Sequence, residues 1–176
     1  MTVLRVFWAT ILLSMLGGCV VQSSQLSALV GLIKKPTVDV SENSWSVRYA
    51  DYEAIVYAIT VPEGTLFSNK AGDQILFDGW SIRRVKGMGR RGLDYQNSDN
   101  NNQRTFVRGN RKLAIHSCIA WQQQRQGQSG MMRFSQQCGD SEPYINSILV
   151  AKDGSIAVIR QVVDDRYTAM TLAKLN

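Results

Sequence analysis

The sequence predicts a mainly β fold, a single-domain antiparallel sandwich or partly open barrel with one or two short helices, and three features predict it. From Trp45 onward apolar residues recur with a period of two, which places one set of side chains on one face of a strand. The runs are short and are separated by glycine and asparagine, as in all-β domains built from many hairpins. The clearest turn, Lys152-Asp153-Gly154-Ser155, contains the Asp-Gly pair that supplies the positive φ angles of a tight hairpin.

Each element follows in order. Gln25 to Ile33 is rich in apolar residues, follows the cap residue Ser24 and stops at Lys34-Lys35-Pro36. It admits a short helix that lies on a membrane, docks on a partner or packs on its own domain. Residues 36–44 read as linker. Trp45, Val47 and Tyr49 then alternate with polar neighbours, as do Ile55, Tyr57, Ile59 and Val61. Ile75–Phe77, Ile82–Val85, Thr105–Arg108 and Leu113–Trp121 continue the series. The asparagine-rich Gln96 to Gln103 reads as a mobile loop, because nothing apolar anchors it. Ile115–Trp121 and Met131–Phe134 read as two strands around Gln126-Gly127-Gln128-Ser129-Gly130; a hairpin centred near Gln128 sets Cys118 opposite Cys138. Ile148–Ala151 and Ile156–Val163 flank the Asp-Gly turn, and Thr168–Leu175 fits either a closing helix or a last edge strand.

Before these elements lies a leader. Arg5 precedes an apolar run from Val6 to Leu16, which reaches only about half of the roughly 20 residues that a transmembrane helix needs. The segment Leu16-Gly17-Gly18-Cys19 resembles the bacterial lipobox, with Gly17 where alanine, serine or threonine is commoner. The resemblance implies removal of residues 1–18, a diacylglycerol on the Cys19 thiol and acylation of the new amino group. Each buried CH₂ adds roughly 0.8 kcal/mol, so two or more chains make a durable anchor. By resemblance to sorting in Gram-negative bacteria, Val20 implies the outer membrane rather than retention at the inner one, with the protein lipid-anchored and facing the periplasm. The expected organisation is a signal peptide over 1–18, a lipidated cysteine and tether over 19–44, and a β-rich domain over 45–176.

Removing 18 of the 176 residues leaves 158, enough to bury one domain's core. With Cys19 committed to lipid, Cys118 and Cys138 remain as an even pair for an oxidising compartment, and a disulfide between them is expected. The formal charge of +6 loses only Arg5 on processing, so the mature surface stays basic and favours anionic polysaccharide or lipid; behind a secretion signal, nucleic acid is not the expected partner.

Asp78 to Tyr95 carries a further likeness. The strand pair Ile75-Leu76-Phe77 and Gly79 to Lys86, then Gly87-Met88-Gly89 and Gly92-Leu93, resembles the GfcB/YjbF-type lipoproteins of capsule and exopolysaccharide operons, as does the aromatic and alanine-rich stretch Tyr49 to Tyr57. The likeness spans residues 45–95 and departs from the family at Trp80 and Gly87. It implies a β-rich, non-enzymatic outer-membrane lipoprotein that assists polysaccharide secretion or assembly through envelope partners. Read without the family, Arg83, Arg84, Lys86, Arg90 and Arg91 concentrate five positive charges in nine positions, flanked by Trp80 and Tyr95. Guanidinium groups grip carboxylates or phosphates in pairs, so this segment is a candidate anionic-ligand site. Strict alternation, however, puts Arg83 on the opposite face from Arg84 and Lys86, as on an ordinary solvated strand.

Catalysis finds little support in the sequence. His116 is the only histidine, two residues from a cysteine with a better use in a disulfide. No cysteine and histidine spacing suits zinc, no glycine-rich loop opens a helix, and Asp51, Glu53, Asp78 and Asp94 single out no pair for glycoside hydrolysis. No metal or cofactor is expected. The classes that remain are a structural or assembly lipoprotein, an anionic glycan or lipid binding module, a lipoprotein component of a secretion or conjugation system and, with least support, a hydrolase.

Overall fold

A computed structural model describes residues 43–175 except 90–91, 101 and 127–129, all within the compact unit Val38–Asn176. The leader, Cys19, the segment expected to be helical and the pair Arg90 and Arg91 lie outside the described residues. Thirteen strands form one sheet: β1 (Ser44–Tyr49), β2 (Tyr52–Val61), β3 (Gly64–Ser68), β4 (Gln74–Phe77), β5 (Ile82–Gly87), β6 (Leu93–Asn100), β7 (Gln103–Arg108), β8 (Arg111–Ser117), β9 (Gln122–Gln126), β10 (Met131–Cys138), β11 (Tyr144–Val150), β12 (Ile156–Val162) and β13 (Ala169–Lys174). No helix occurs among the described residues.

Every neighbouring pair is antiparallel, in the order β8-β7-β6-β5-β4-β3-β2-β1-β13-β12-β11-β10-β9. Two meanders therefore run outward from the centre, where the first strand pairs with the last. The segment expected to be either a closing helix or an edge strand is β13, a central strand with partners on both sides. Its alternation of Met170 and Leu172, both fully buried, explains why a period of two wins over a helix.

Registry carries one apolar face across the sheet. Val47 pairs with Leu172, Leu172 with Ile159 and Ile159 with Ile148; Trp45 pairs with Val56, Phe67 with Ile75 and Ile75 with Val85. All of these side chains are buried in a single cluster, which requires the sheet to curl on itself. The edge strands β8 and β9 are consecutive in sequence, and the curl brings the end of β8 to the end of β10. There Cys118 and Cys138 face each other in an isolated antiparallel bridge and form a disulfide. Ile119 N–H donates to Gln137 O (2.9 Å) and Gly139 N–H to Ser117 O (2.9 Å). No ladder joins β8 to β9 among the described residues, so the architecture is the partly open barrel form of the expected fold, a half-barrel tied at one end.

Local chemistry explains the turns. Asp153 Oδ1 accepts the Ser155 backbone N–H (2.9 Å) and hydroxyl (2.7 Å), and Gly154 takes φ 84°, closing the β11–β12 hairpin as the sequence predicts. At the end of β5, Gly87 has φ 91°, and a Cβ there would stand 2.9 Å from Asp73 Cα. That close approach lets the buried Asp73 accept Met88 N–H (2.7 Å), Asn69 Nδ2–H (2.7 Å) and the Tyr52 hydroxyl. The glycine that departs from the resembled family thus has a packing reason.

Two expectations change. The segment expected to be a loop, Gln96 to Gln103, supplies the second half of β6 and the start of β7, with Asn97 buried. Asn97 Nδ2 donates to Ile82 O (3.2 Å) and Val163 O (3.3 Å), so amide hydrogen bonds anchor a strand where apolar contacts are few. The run read as one strand from Leu113 to Trp121 ends at Ser117, and the strand that pairs with the start of β10, β9, begins only at Gln122, because the intervening residues carry the chain across the seam.

Candidate functional site

Among the described residues the most exposed tryptophan, Trp80, sits on a turn held by several hydrogen bonds. Between β4 and β5, Asp78 Oδ1 accepts the backbone N–H groups of Trp80 (2.9 Å) and Ser81 (2.7 Å), an Asx turn, with Gly79 at φ 105°. From β12, the fully buried Gln161 grips the same turn: Nε2 donates to Trp80 O (2.6 Å), while Oε1 accepts Ile82 N–H (2.9 Å) and Arg104 Nη2–H (3.1 Å). Trp80 is nevertheless 48% exposed. It meets Phe134 of β10 edge-on at 5.4 Å and Trp121, in the β8–β9 connection, at 5.6 Å with a tilt of 46°.

Beneath the turn the interior becomes polar. Arg104 has 0% exposure, and a buried guanidinium needs partners to offset its desolvation. Asp99 Oδ1 stands 3.8 Å from Nε as counter-charge, and Phe106 lies 5.9 Å from the guanidinium carbon. Nε and Nη1 have no hydrogen-bond partner among the described residues. Burial pushes the Arg104 pKa below its ordinary value while Asp99 pulls it back up; the group stays protonated. Ser81 hydroxyl donates to Asp99, fastening the turn to β6. Further along, Asn146 Oδ1 accepts Val162 N–H (3.0 Å) and its Nδ2 donates to Gln136 Oε1 (3.4 Å). His116 stacks on Tyr167 (4.9 Å, 9°), and its Nδ1 shares a 3.0 Å hydrogen bond with the Tyr144 hydroxyl. Desolvation lowers the His116 pKa and pushes that of Tyr144 up to about 12, so both are neutral near pH 7.

Two concavities adjoin this framework. A cleft of ≈ 390 Å³ opens beside Trp80 and is lined also by Trp121, Asp99, Asn102, Gln103 and Gln136. A groove of ≈ 380 Å³ on β5–β7 is lined by Arg83, Arg84, Gln96, Ser98 and Val107.

These positions divide the basic segment expected from sequence. Register skips Arg83, since Phe77 pairs with Ile82 and Leu76 with Arg84, so Arg83 is the extra residue of a β-bulge. Ile82 and Val85 both point into the core, and Arg83 and Arg84 line one groove rather than opposite faces. Arg83 Nε lies 3.5 Å from Asp78 Oδ2. Arg84 and Lys86 are exposed. Tyr95 is buried, pairs with Val85, and donates its hydroxyl to Asp165 (3.2 Å). Trp80 lines the other concavity. Arg104 and Gln161 escaped sequence reasoning, although alternation offered a signal: each lies two residues from a fully buried apolar side chain, Phe106 and Ile159, and so shares its face.

Fold and site together define a class: a curled antiparallel half-barrel with an apolar core, a polar mouth and a disulfide at its seam. No family model and no curated protein matches the chain. Among solved structures it is similar to the crystal structure of the hypothetical lipoprotein YmcC from Escherichia coli K12, with a TM-score of 0.54 and 8% sequence identity over 85% of this chain and 94% of that one. At that identity the likeness establishes a common fold.

Proposed function

We propose that this protein is an outer-membrane lipoprotein anchored through Cys19, with a non-enzymatic structural or assembly role exerted through envelope protein partners in capsule or exopolysaccharide secretion. The observation that carries the reading is the allocation of cysteines. Cys118 and Cys138 are bonded to each other, which leaves Cys19 of the lipobox as the remaining thiol and suits an oxidising compartment. The likeness in fold to a protein described as a hypothetical lipoprotein supports it further. The packing of His116 among Phe106, Tyr144 and Tyr167 favours a structural role for that ring over a catalytic one.

Metabolic labelling with an alkyne palmitate tests the anchor: wild type takes the label and sediments with outer membranes, and Cys19→Ala does neither. Absence of label in wild type, or its recovery with inner membranes, overturns the reading. A second reading, recognition of an anionic glycan or lipid headgroup, is favoured by the bulge that brings Arg83 and Arg84 to one groove. A charge-reversing Arg84→Glu, Lys86→Glu variant then loses retention on an anionic phospholipid vesicle, and unchanged retention rejects it.

A further inference from the structure

We infer that the cleft beside Trp80 is a binding site for an uncharged, hydroxyl-rich glycan chain. Trp80 leaves nearly half of its surface exposed, yet its turn is held by two hydrogen bonds to Asp78 Oδ1 and one from Gln161 Nε2, with Ile82 N–H fastened to the same glutamine. Holding an aromatic ring on a fixed backbone, supported from beneath by buried side chains, is how a site avoids ordering costs when a ligand arrives. Phe134 and Trp121 contact the ring without covering it, and the 46° tilt makes Trp80 and Trp121 a corner with two apolar walls. The apolar C–H face of a pyranose fits such a wall.

The remaining lining favours sugar over other ligands. The exposed Asn100, Asn102 and Gln103 each offer both a donor and an acceptor, which matches hydroxyl groups that also do both. The charges of the cleft are already matched: Asp78 by Arg83 at 3.5 Å, and Asp99 by Arg104 at 3.8 Å and by Ser81. An anionic ligand therefore meets only the ion-paired Arg83 here, whereas the groove on β5–β7 adds the exposed Arg84. A protein partner would require an apolar interface core, whereas beyond the aromatic pair only Ala120 and the disulfide-bonded Cys118 are apolar here, and the rest of the lining is amide, hydroxyl, carboxylate and the ion-paired Arg83. A volume of ≈ 390 Å³ lies in the small-molecule range and accommodates a short stretch of a chain.

The test uses the full-length protein in a polyoxyethylene detergent, which carries no sugar, titrated with cellohexaose, maltohexaose, mannohexaose and chitohexaose, and with hexagalacturonate as the charged counterpart. Tryptophan emission and calorimetry read binding. The expected result is that at least one neutral hexasaccharide binds and shifts the emission. Trp80→Ala, with unchanged circular dichroism and an intact disulfide, weakens that binding about tenfold or more. Gln103→Ala, at an exposed position at the start of β7, weakens it severalfold and decides the matter if Trp80→Ala fails to fold. The proposal is overturned if none of the neutral sugars binds, if a folded variant at either position binds as wild type does, if hexagalacturonate is preferred, or if Trp80→Ala abolishes only the copurification of a protein. Sugar contact is read on the isolated protein, so its failure leaves the anchoring role standing, and failure of Cys19 labelling leaves the cleft standing.

Discussion

The interior of this half-barrel differs between two regions. Beneath β1–β4 and β13 it is apolar, filled by Trp45, Val47, Val56, Phe67, Ile75, Phe77, Met170 and Leu172. Between β6–β8 and β10–β12 it holds Asn97, Arg104, His116, Gln136, Asn146 and Gln161, all buried and all polar. Apolar burial contributes roughly 1.5–3 kcal/mol for each large side chain and is indifferent to direction. A buried hydrogen-bond network contributes little net stability but fixes geometry, because any displaced member leaves a partner unsatisfied. The first region therefore supplies stability, and the second spends its polar groups on holding the Trp80 turn and the seam in place.

The largest effect expected from this contrast is in the apolar region. Phe67→Ala removes a ring that meets Trp45 edge-on at 5.0 Å and is 1% exposed, and it should cost about 3–5 kcal/mol in urea denaturation. A loss under about 1 kcal/mol would mean that the apolar region is not where stability resides. Next comes the seam. Replacing Cys118 and Cys138 together by alanine reopens a link spanning 20 residues of chain and should cost about 3 kcal/mol on the chain-entropy account. Its signature distinguishes it from the first variant: amide exchange should accelerate at Ile119 and Gly139, whose hydrogen bonds close the seam, while β2 and β3 keep their protection.

How much of this was legible in the sequence follows the same division. The apolar strands announced themselves by alternation, as at Ile75–Phe77 and Ile156–Val163, because water and core impose opposite demands on adjacent residues. The disulfide was legible from cysteine arithmetic and an approximately centred hairpin, although the true partner strand starts at Gln122. β6 was not legible. Its sequence LDYQNSDN looks like a loop because the groups that bury Asn97 come from Ile82 and Val163, both distant in sequence. Of the candidate site, local sequence marks Trp80 but groups it with Arg84 and Tyr95. A bulge shifts Arg83, and strand pairing sends Tyr95 inward to Asp165, and neither event leaves a mark in local composition.

A smaller effect separates network from charge. Gln161→Leu leaves Ile82 N–H and Arg104 Nη2 without their acceptor and Trp80 O without its donor, and should cost about 2 kcal/mol. Arg104→Met removes the desolvated charge together with its demands, and should cost less than Gln161→Leu in the same denaturation assay. The reverse order would show that the guanidinium itself, rather than the glutamine clamp, holds the mouth together.

The smallest effect is a pH dependence, and its sign follows from burial. His116 has its folded-state pKa lowered, chiefly by desolvation, with Asp140 and Asp165 opposing the shift and Arg104 reinforcing it. The unfolded chain binds a proton near the ordinary value of about 6.5, where the fold still refuses it. Stability from the neutral ring is therefore fully present above about pH 6.5 and is lost as pH falls through the lowered folded-state value. His116→Phe keeps an aromatic ring between Phe106 and Tyr167 and removes the titration, so its denaturation midpoint should decline less than that of wild type between pH 7 and pH 5. Parallel declines would place the acid sensitivity outside the polar mouth. A flatter curve for the variant would assign the acid sensitivity to His116, whose protonated ring, two residues from Cys118 of the disulfide that ties the seam, must find water next to Tyr144.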